Sequence, residues 1–175
     1  MTTAVYAGTF DPFTYGHLSV LTQACRIFSH VRILVAVNKA KTPLFSEHER
    51  VDIIHSYVAK MPNVSVDFAP GYVARYAEEI GAAFLVRGVR NLTDAAAELN
   101  LAEQNKEVAP HIQTVLLPAD PALSDVSSSG VKLLVSSSVN EDPYSLMSRS
   151  RHANINPYTH SALIKSKRPI GEPND

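Results

Sequence analysis

The chain has 175 residues, with 16 Lys and Arg against 17 Asp and Glu and a formal net charge of -1. That balance lacks the broad positive field that grips a nucleic-acid backbone, so no nucleic acid is expected as partner. An apolar fraction of 45% and a charged fraction of 19% suit one soluble domain with a substantial core.

No apolar run approaches the ~20 residues of a membrane span, and no basic segment followed by a long apolar run opens the sequence. The expectation is a cytoplasmic protein with no membrane contact. The single cysteine, Cys25, rules out an intramolecular disulfide. It falls among Leu18, Leu21 and Phe28 at helical spacing and is expected as a buried core thiol.

Thr3–Ala7 reads as a first buried strand ending at Gly8. From Gly16 to Phe28, apolar residues recur at steps of three and four and mark a helix face. Val31–Val37 is a second strand, nearly all apolar, as in sheets covered on both sides. Ser46 and Glu49 form a capping box, opening a helix to about Lys60. Val64–Phe68 is a third strand, and Tyr72–Ile80 a helix stopped by Gly81.

Ala83–Val86 is a fourth strand, followed at once by Arg87-Gly-Val-Arg90. Thr93 or Asp94 is expected to cap a helix to about Val108, and Ile112–Leu117 is a fifth strand. Ser127–Ser129 is expected to cap a short helix around Val131–Val135. Asn156-Pro157 opens a last helix to about Lys165. The stretch 136–153 reads as irregular.

Strands and helices alternate throughout, which predicts an α/β fold: a Rossmann-like, doubly wound, parallel five-stranded sheet. One domain is expected over 1–167, with a flexible tail over 168–175.

In open α/β sheets, ligands bind beyond the carboxyl ends of the strands. Thr9, Asp11, Thr14 and His17 follow the first strand, and Asn38, Lys39 and Lys41 the second. Arg87 and Arg90 follow the fourth, and Ser124, Ser127, Ser128 and Ser129 the fifth. Cations and hydroxyls gathered beside helix N-termini describe a polyphosphate site. Asp11 admits a structural reading, bonding the amides of its turn, as readily as a functional one. Neither a P-loop nor the Gly-rich dinucleotide fingerprint is present, nor any metal-ligand spacing.

The segment Gly8-Thr-Phe-Asp-Pro-Phe-Thr-Tyr-Gly-His17 resembles the signature of the nucleotidylyltransferase superfamily. With threonine at position 14, it is similar to the variant of bacterial phosphopantetheine adenylyltransferases. Lys41-Thr-Pro-Leu-Phe45, Glu49-Arg-Val51, Val86-Arg-Gly-Val-Arg90, Asp94 with Glu98, and Val126-Ser-Ser-Ser129 match the same family in order and spacing. The resemblance implies transfer of AMP from ATP to 4'-phosphopantetheine, with dephospho-coenzyme A and pyrophosphate as products. No covalent enzyme intermediate is implied.

By matching position, the resemblance implies that His17, Lys41, Thr9 and Arg87 serve catalysis. ATP would be bound by Thr9, Phe10, His17, Gly88, Val89, Arg90, Glu98, Leu123, Ser124, Asp125, Val126, Ser127, Ser128 and Ser129. Phosphopantetheine would be bound by Thr9, Lys41, Val73 and Arg87. Mg²⁺ would be held mainly through ATP's phosphates, with no metal ligands from the protein. A homo-oligomer, a hexamer in many family members, is implied.

The family usually has bulky aromatic and acidic residues where this chain has Ala95–Ala97. It usually has tryptophan at the position of Leu123 and an apolar residue at that of Asp125. These departures keep two alternatives open: another phosphorylated acceptor with the same chemistry, or a non-catalytic nucleotide- or coenzyme-A-binding relative.

Overall fold

The computed structural model describes residues 1–37, 42–123 and Ser128. Along the chain come β1 (Thr3–Gly8), α1 (Tyr15–Ile27), β2 (His30–Val37), α2 (Glu47–Val58) and β3 (Val64–Pro70). Then follow α3 (Val73–Glu79), β4 (Phe84–Val89), α4 (Leu92–Val108), β5 (Gln113–Pro118) and a 3-10 turn at Pro121–Leu123. The five strands form one parallel sheet in the order β3-β2-β1-β4-β5, as the alternation predicted.

Strand side chains alternate between the two faces of the sheet. Ala4, Tyr6, Val31, Ile33, Val35 and Val86 meet Val20, Leu21 and Ala24 of α1 and Ile53, Ile54 and Val58 of α2 on one face. Val5, Ala7, Leu34 and Leu85 meet Ala74 and Ala77 of α3 on the other. Fully burying one such Val, Leu or Ile is worth roughly 1.5–3 kcal/mol. Each strand of the pair β1 and β2 serves both cores, which is why it is written as a continuous apolar run.

The local signals explain most boundaries. Ser46 Oγ accepts from the Glu49 amide at 3.3 Å, and Glu49 Oε2 accepts from the Ser46 amide at 2.9 Å. This is the capping box at the start of α2. Gly81, at φ +69, ends α3 in the left-handed region.

Four expectations need correction. β4 does not stop at Val86: Arg87, Gly88 and Val89 pair with Leu116, Leu117 and Pro118, so the sheet carries them. α4 is capped neither by Thr93 nor by Asp94, because Asn91 Oδ1 accepts from the Asp94 amide at 2.9 Å and starts the helix earlier. α1 begins at Tyr15 rather than Gly16, with Thr14 as its cap residue. Cys25 is half-buried at the margin of the core, not inside it; burial still pushes its thiol pKa up. Apart from Ser128, the expected Ser127–Ser129 cap, the 136–153 stretch, the helix after Asn156 and the 168–175 tail lie outside the described residues.

Candidate active site

β1 lies between β2 and β4. The chain leaves β1 toward β2 and β3, then returns on the other side to β4 and β5. The loops after β1 and β4 therefore part at this switch point and open a crevice beyond the strand ends. A cavity of about 320 Å³ fills it. Thr9, Phe10, Thr14 and His17 come from the first loop and α1; Arg87, Gly88 and Arg90 come from β4 and its end. Asp94, Ala97 and Glu98 of α4 close one side, with Leu123 and Ser128 at another.

The first loop is tightly built. A Cβ on Gly8 would stand 2.9 Å from the Phe10 ring, so only glycine leaves room there. Phe10 itself adopts φ 46, a left-handed conformation costing an aromatic residue about 1–3 kcal/mol. Packing sustains it: the ring is 2% exposed and meets Tyr6 at 5.2 Å, Phe13 at 5.3 Å and His17 at 5.1 Å between centroids.

Two buried charges tie this loop to the start of α2. Asp11, 2% exposed, accepts from the Leu44 and Phe45 amides at 2.9 Å each. These two bonds reach across to another segment. Arg50, 3% exposed, donates from Nη1 to the Thr9 carbonyl at 2.8 Å and from Nε to the Ser46 carbonyl at 3.4 Å. Removing an ion from water costs several kcal/mol, so a position needing only volume favours an apolar residue.

His17 occupies the first turn of α1. Its Nδ1 accepts from the Thr14 amide at 3.0 Å and lies 3.0 Å from Thr14 Oγ1. An Nδ1 that accepts carries no proton, so the neutral ring bears its hydrogen on Nε2. Burial lowers the imidazole pKa from 6.5 to about 4, helped by the nearby positive charges of Arg90 and Arg87. His17 is therefore a neutral donor held by its own cap residue, with Phe10 and Phe13 against its ring.

Both arginines are paired with carboxylates. Arg87 donates from Nε and Nη2 to Glu98 at 2.7 Å each, and from Nη1 to the Ala7 carbonyl. Arg90 donates from Nε and Nη2 to Asp94 at 2.7 and 3.3 Å. The hydrogen bond from Arg90 holds the Asp94 carboxyl below its ordinary range, and the same bond raises the Arg90 pKa. A guanidinium has five N–H bonds. Among the described residues, two remain on Arg87 and three on Arg90, so the carboxylates orient these groups without exhausting them. Gly88 sits between the two arginines because α1 crosses closely there: an added Cβ would lie 2.9 Å from Val20 Cγ2.

Of the residues expected at a site, the fold brings Thr9, Phe10, His17, Arg87, Gly88, Arg90, Glu98, Leu123 and Ser128 to this one cavity. Ser128 Oγ also donates to the Pro12 carbonyl at 2.8 Å. Val89 ends β4 outside the lining, and Val73 begins α3, packed against the core on the other sheet face. Lys41, Ser124, Asp125, Val126, Ser127 and Ser129 lie outside the described residues.

Sequence reasoning missed Tyr6, Ala7, Val20 and Ala119 as cavity residues, and gave Asp94 and Ala97, noted only as a family match and a departure from it, no binding role. Asp94 was within reach, since it stands four residues after Arg90. Tyr6 was not, because an aromatic residue in a buried strand reads as core.

Residues 5–133 match the cytidylyltransferase-like family. The phosphopantetheine adenylyltransferase of Desulforudis audaxviator is 45% identical over 132 residues, covering 75% of this chain and 81% of that protein. That of Bifidobacterium longum is 45% identical over 134 residues, covering 75% and 80%. That of Psychromonas ingrahamii is 39% identical over 144 residues, covering 82% and 89%.

Among solved structures, a bifunctional NMN adenylyltransferase/ADP ribose pyrophosphatase from Francisella tularensis aligns with a TM-score of 0.64 at 14% identity, covering 94% of this chain and 49% of that one. The nicotinic acid mononucleotide adenylyltransferase of Plasmodium falciparum, complexed with NaAD, aligns at 0.62 and 13%, covering 94% and 95%. At such identities these two structures establish the shared fold. The chain belongs to the phosphopantetheine adenylyltransferase family of cytidylyltransferase-like nucleotidylyltransferases.

Proposed function

We propose that this protein transfers AMP from ATP to 4'-phosphopantetheine, forming dephospho-coenzyme A and releasing pyrophosphate. The observation that carries the reading is the convergence of the His17 donor, the Thr9–Phe10 loop, the start of α1 and two oriented guanidinium groups on one cavity. A phosphate oxygen of the acceptor attacks the α-phosphorus of ATP. The bond to the β-phosphate breaks and pyrophosphate leaves with its electron pair.

Nothing in this displacement calls for a protein nucleophile; it calls for alignment and for donors to the crowded, negative transition state. Nε2–H of His17 donates to the α-phosphate oxygens. Thr9 donates through its hydroxyl, and the free amides of the first turn of α1 add partial positive charge. Arg87, with Lys41, holds the acceptor phosphate. Phe10, Gly88, Val89, Arg90, Glu98 and Leu123–Ser129 receive ATP, and Val73 the pantetheine arm.

The carboxylates lining the cavity, Asp94 and Glu98, are committed to Arg90 and Arg87. Among the described residues, no group of three His, Cys, Asp or Glu is placed to cage a metal. On this reading Mg²⁺ enters as part of the MgATP substrate, where it offsets phosphate charge.

The same reading takes the protein as a cytoplasmic homo-oligomer, a hexamer. No described helix is long and apolar enough to cross a membrane. In α4 no residue is buried, and Leu92 and Leu99 are 89% and 57% exposed, a surface suited to a second copy. Light scattering tests the assembly.

The activity test is chromatographic detection of dephospho-coenzyme A from ATP, Mg²⁺ and phosphopantetheine, run beside a panel of other phosphorylated acceptors. Normal ATP binding with no product, or clear preference for another acceptor, overturns the reading.

A further inference from the structure

We infer that Arg50 is a positioning residue for the phosphate site, acting through the Thr9–Phe10 peptide rather than on substrate. The inference rests on the proposed nucleotidyl transfer and adds a residue to it. Arg50 does not line the cavity. It reaches from the first turns of α2 to the Thr9 carbonyl, with a 2.8 Å bond from Nη1. Among the described residues the single cis peptide is Asp11–Pro12, so the Thr9–Phe10 unit is trans, with its carbonyl and its N–H on opposite sides.

Arg50 takes the carbonyl side, toward α2. The Phe10 N–H is thereby turned away from α2, and both Thr9 and Phe10 line the cavity. No described residue accepts a hydrogen bond from that amide. A buried amide without a partner among the described residues, at a phosphate site, is a donor kept for ligand.

Three further observations concern the same peptide. Phe10 sits at φ 46, a conformation that relaxes unless the surroundings enforce it. Gly8 supplies the space under the Phe10 ring. Asp11 fixes the far end of the segment by its two bonds to Leu44 and Phe45. Arg50 and Asp11 thus grip the segment from one side at both ends. The Arg50 guanidinium sets the plane of the peptide, a task a methionine of similar volume cannot perform.

The experiment compares wild type, Arg50→Met and Arg50→Lys. Steady-state kinetics are run with each substrate varied, and the Phe10 amide is followed by ¹H–¹⁵N NMR as a non-hydrolysable ATP analogue is added. Arg50→Met is expected to lower kcat by about tenfold or more and to raise KM for ATP, as loss of an aligned donor does, with KM for phosphopantetheine held within about twofold. Arg50→Lys, with one donor on the same side, recovers most of the loss.

In wild type the Phe10 amide proton moves downfield on addition of the analogue; in Arg50→Met it does not. An unmoved Phe10 amide in wild type overturns the inference. So does an Arg50→Met enzyme that loses thermal stability alone, or that weakens both substrates equally. If Arg50→Met does not fold, Arg50→Lys and the wild-type titration still decide. Wild type that yields no dephospho-coenzyme A while its Phe10 amide responds to the analogue counts against the proposed acceptor, not against the role of Arg50.

Discussion

Stability should respond to pH through His17 in the direction opposite to that of a histidine whose pKa is raised by an acidic partner. The folded imidazole is depressed from 6.5 to about 4, because burial disfavours the cation and Arg90 and Arg87 add like charge beside it; protonating Nδ1 would also set its N–H against the Thr14 amide. Between these two values the unfolded chain binds the proton and the folded one does not. Stability therefore falls as pH drops through 6.5, reaches its full loss below about 4, and is unaffected above neutrality.

The whole gap corresponds to about 3 kcal/mol, of which about 2 kcal/mol is expressed near pH ~5. His17→Gln removes the titrating group. Urea unfolding of wild type and variant near pH ~7.5 and ~5 should show the stability difference shrinking by about 2 kcal/mol at the lower pH. Among the seven histidines, the NMR signal absent from His17→Gln should not titrate near neutrality. Parallel stabilities at the two pH values, or a His17 midpoint close to 6.5, would refute the buried neutral donor.

Gly88→Ala presses a methyl onto Val20 and should cost about 1–3 kcal/mol by overpacking; in urea unfolding, Gly88→Ala with Val20→Ala should cost less than the two single changes added. Glu98→Gln leaves the Arg87 guanidinium with one neutral partner in place of a bidentate carboxylate. It should cost about 1–3 kcal/mol in stability and lower kcat/KM for the acceptor about tenfold through lost alignment, read by unfolding and by the product assay. Asp11→Ala abandons one buried and one partly buried amide and should lower stability by about 3 kcal/mol, with Asp11→Asn retaining part of it.

The sheet was legible because its signals are redundant. A continuous apolar run such as Val31–Val37 demands cover on both faces, and the Ser46–Glu49 box and Gly81 mark helix ends by chemistry that operates locally. The end of β4 was not legible, since Arg87-Gly-Val89 looks like a loop until Leu116–Pro118 lies alongside. The cap of α4 was misplaced for a related reason: Asn91, Thr93 and Asp94 all have capping side chains, and only the chain's direction out of β4 selects Asn91.

At the site, residue types that seek phosphate announced Thr9, His17, Arg87 and Arg90. The partners that orient them did not announce themselves. Asp11 and Arg50 act over 34 and 41 residues of sequence, and such pairings are written in the fold rather than in any local pattern.

Orientation, rather than accumulated charge, is what this cavity offers a polyphosphate. The positive charges of Arg87 and Arg90 are offset by Glu98 and Asp94, and His17 is neutral. The described part of the site therefore carries almost no net charge, in keeping with a chain whose own net charge is -1. Its capacity for anions comes from N–H bonds aimed in advance: two left on Arg87, three on Arg90, Nε2–H of His17, and the amides at the start of α1.

Fixed dipoles at contact distance are screened little by salt, whereas an unpaired cluster of cations loses much of its attraction beyond the ~8 Å Debye length of physiological salt. ATP affinity measured by calorimetry should accordingly fall less than about tenfold as ionic strength rises from ~0.05 to ~0.5 M. A steep, many-ion salt dependence would mean that charge, not geometry, holds the nucleotide, and that the two ion pairs open when it binds.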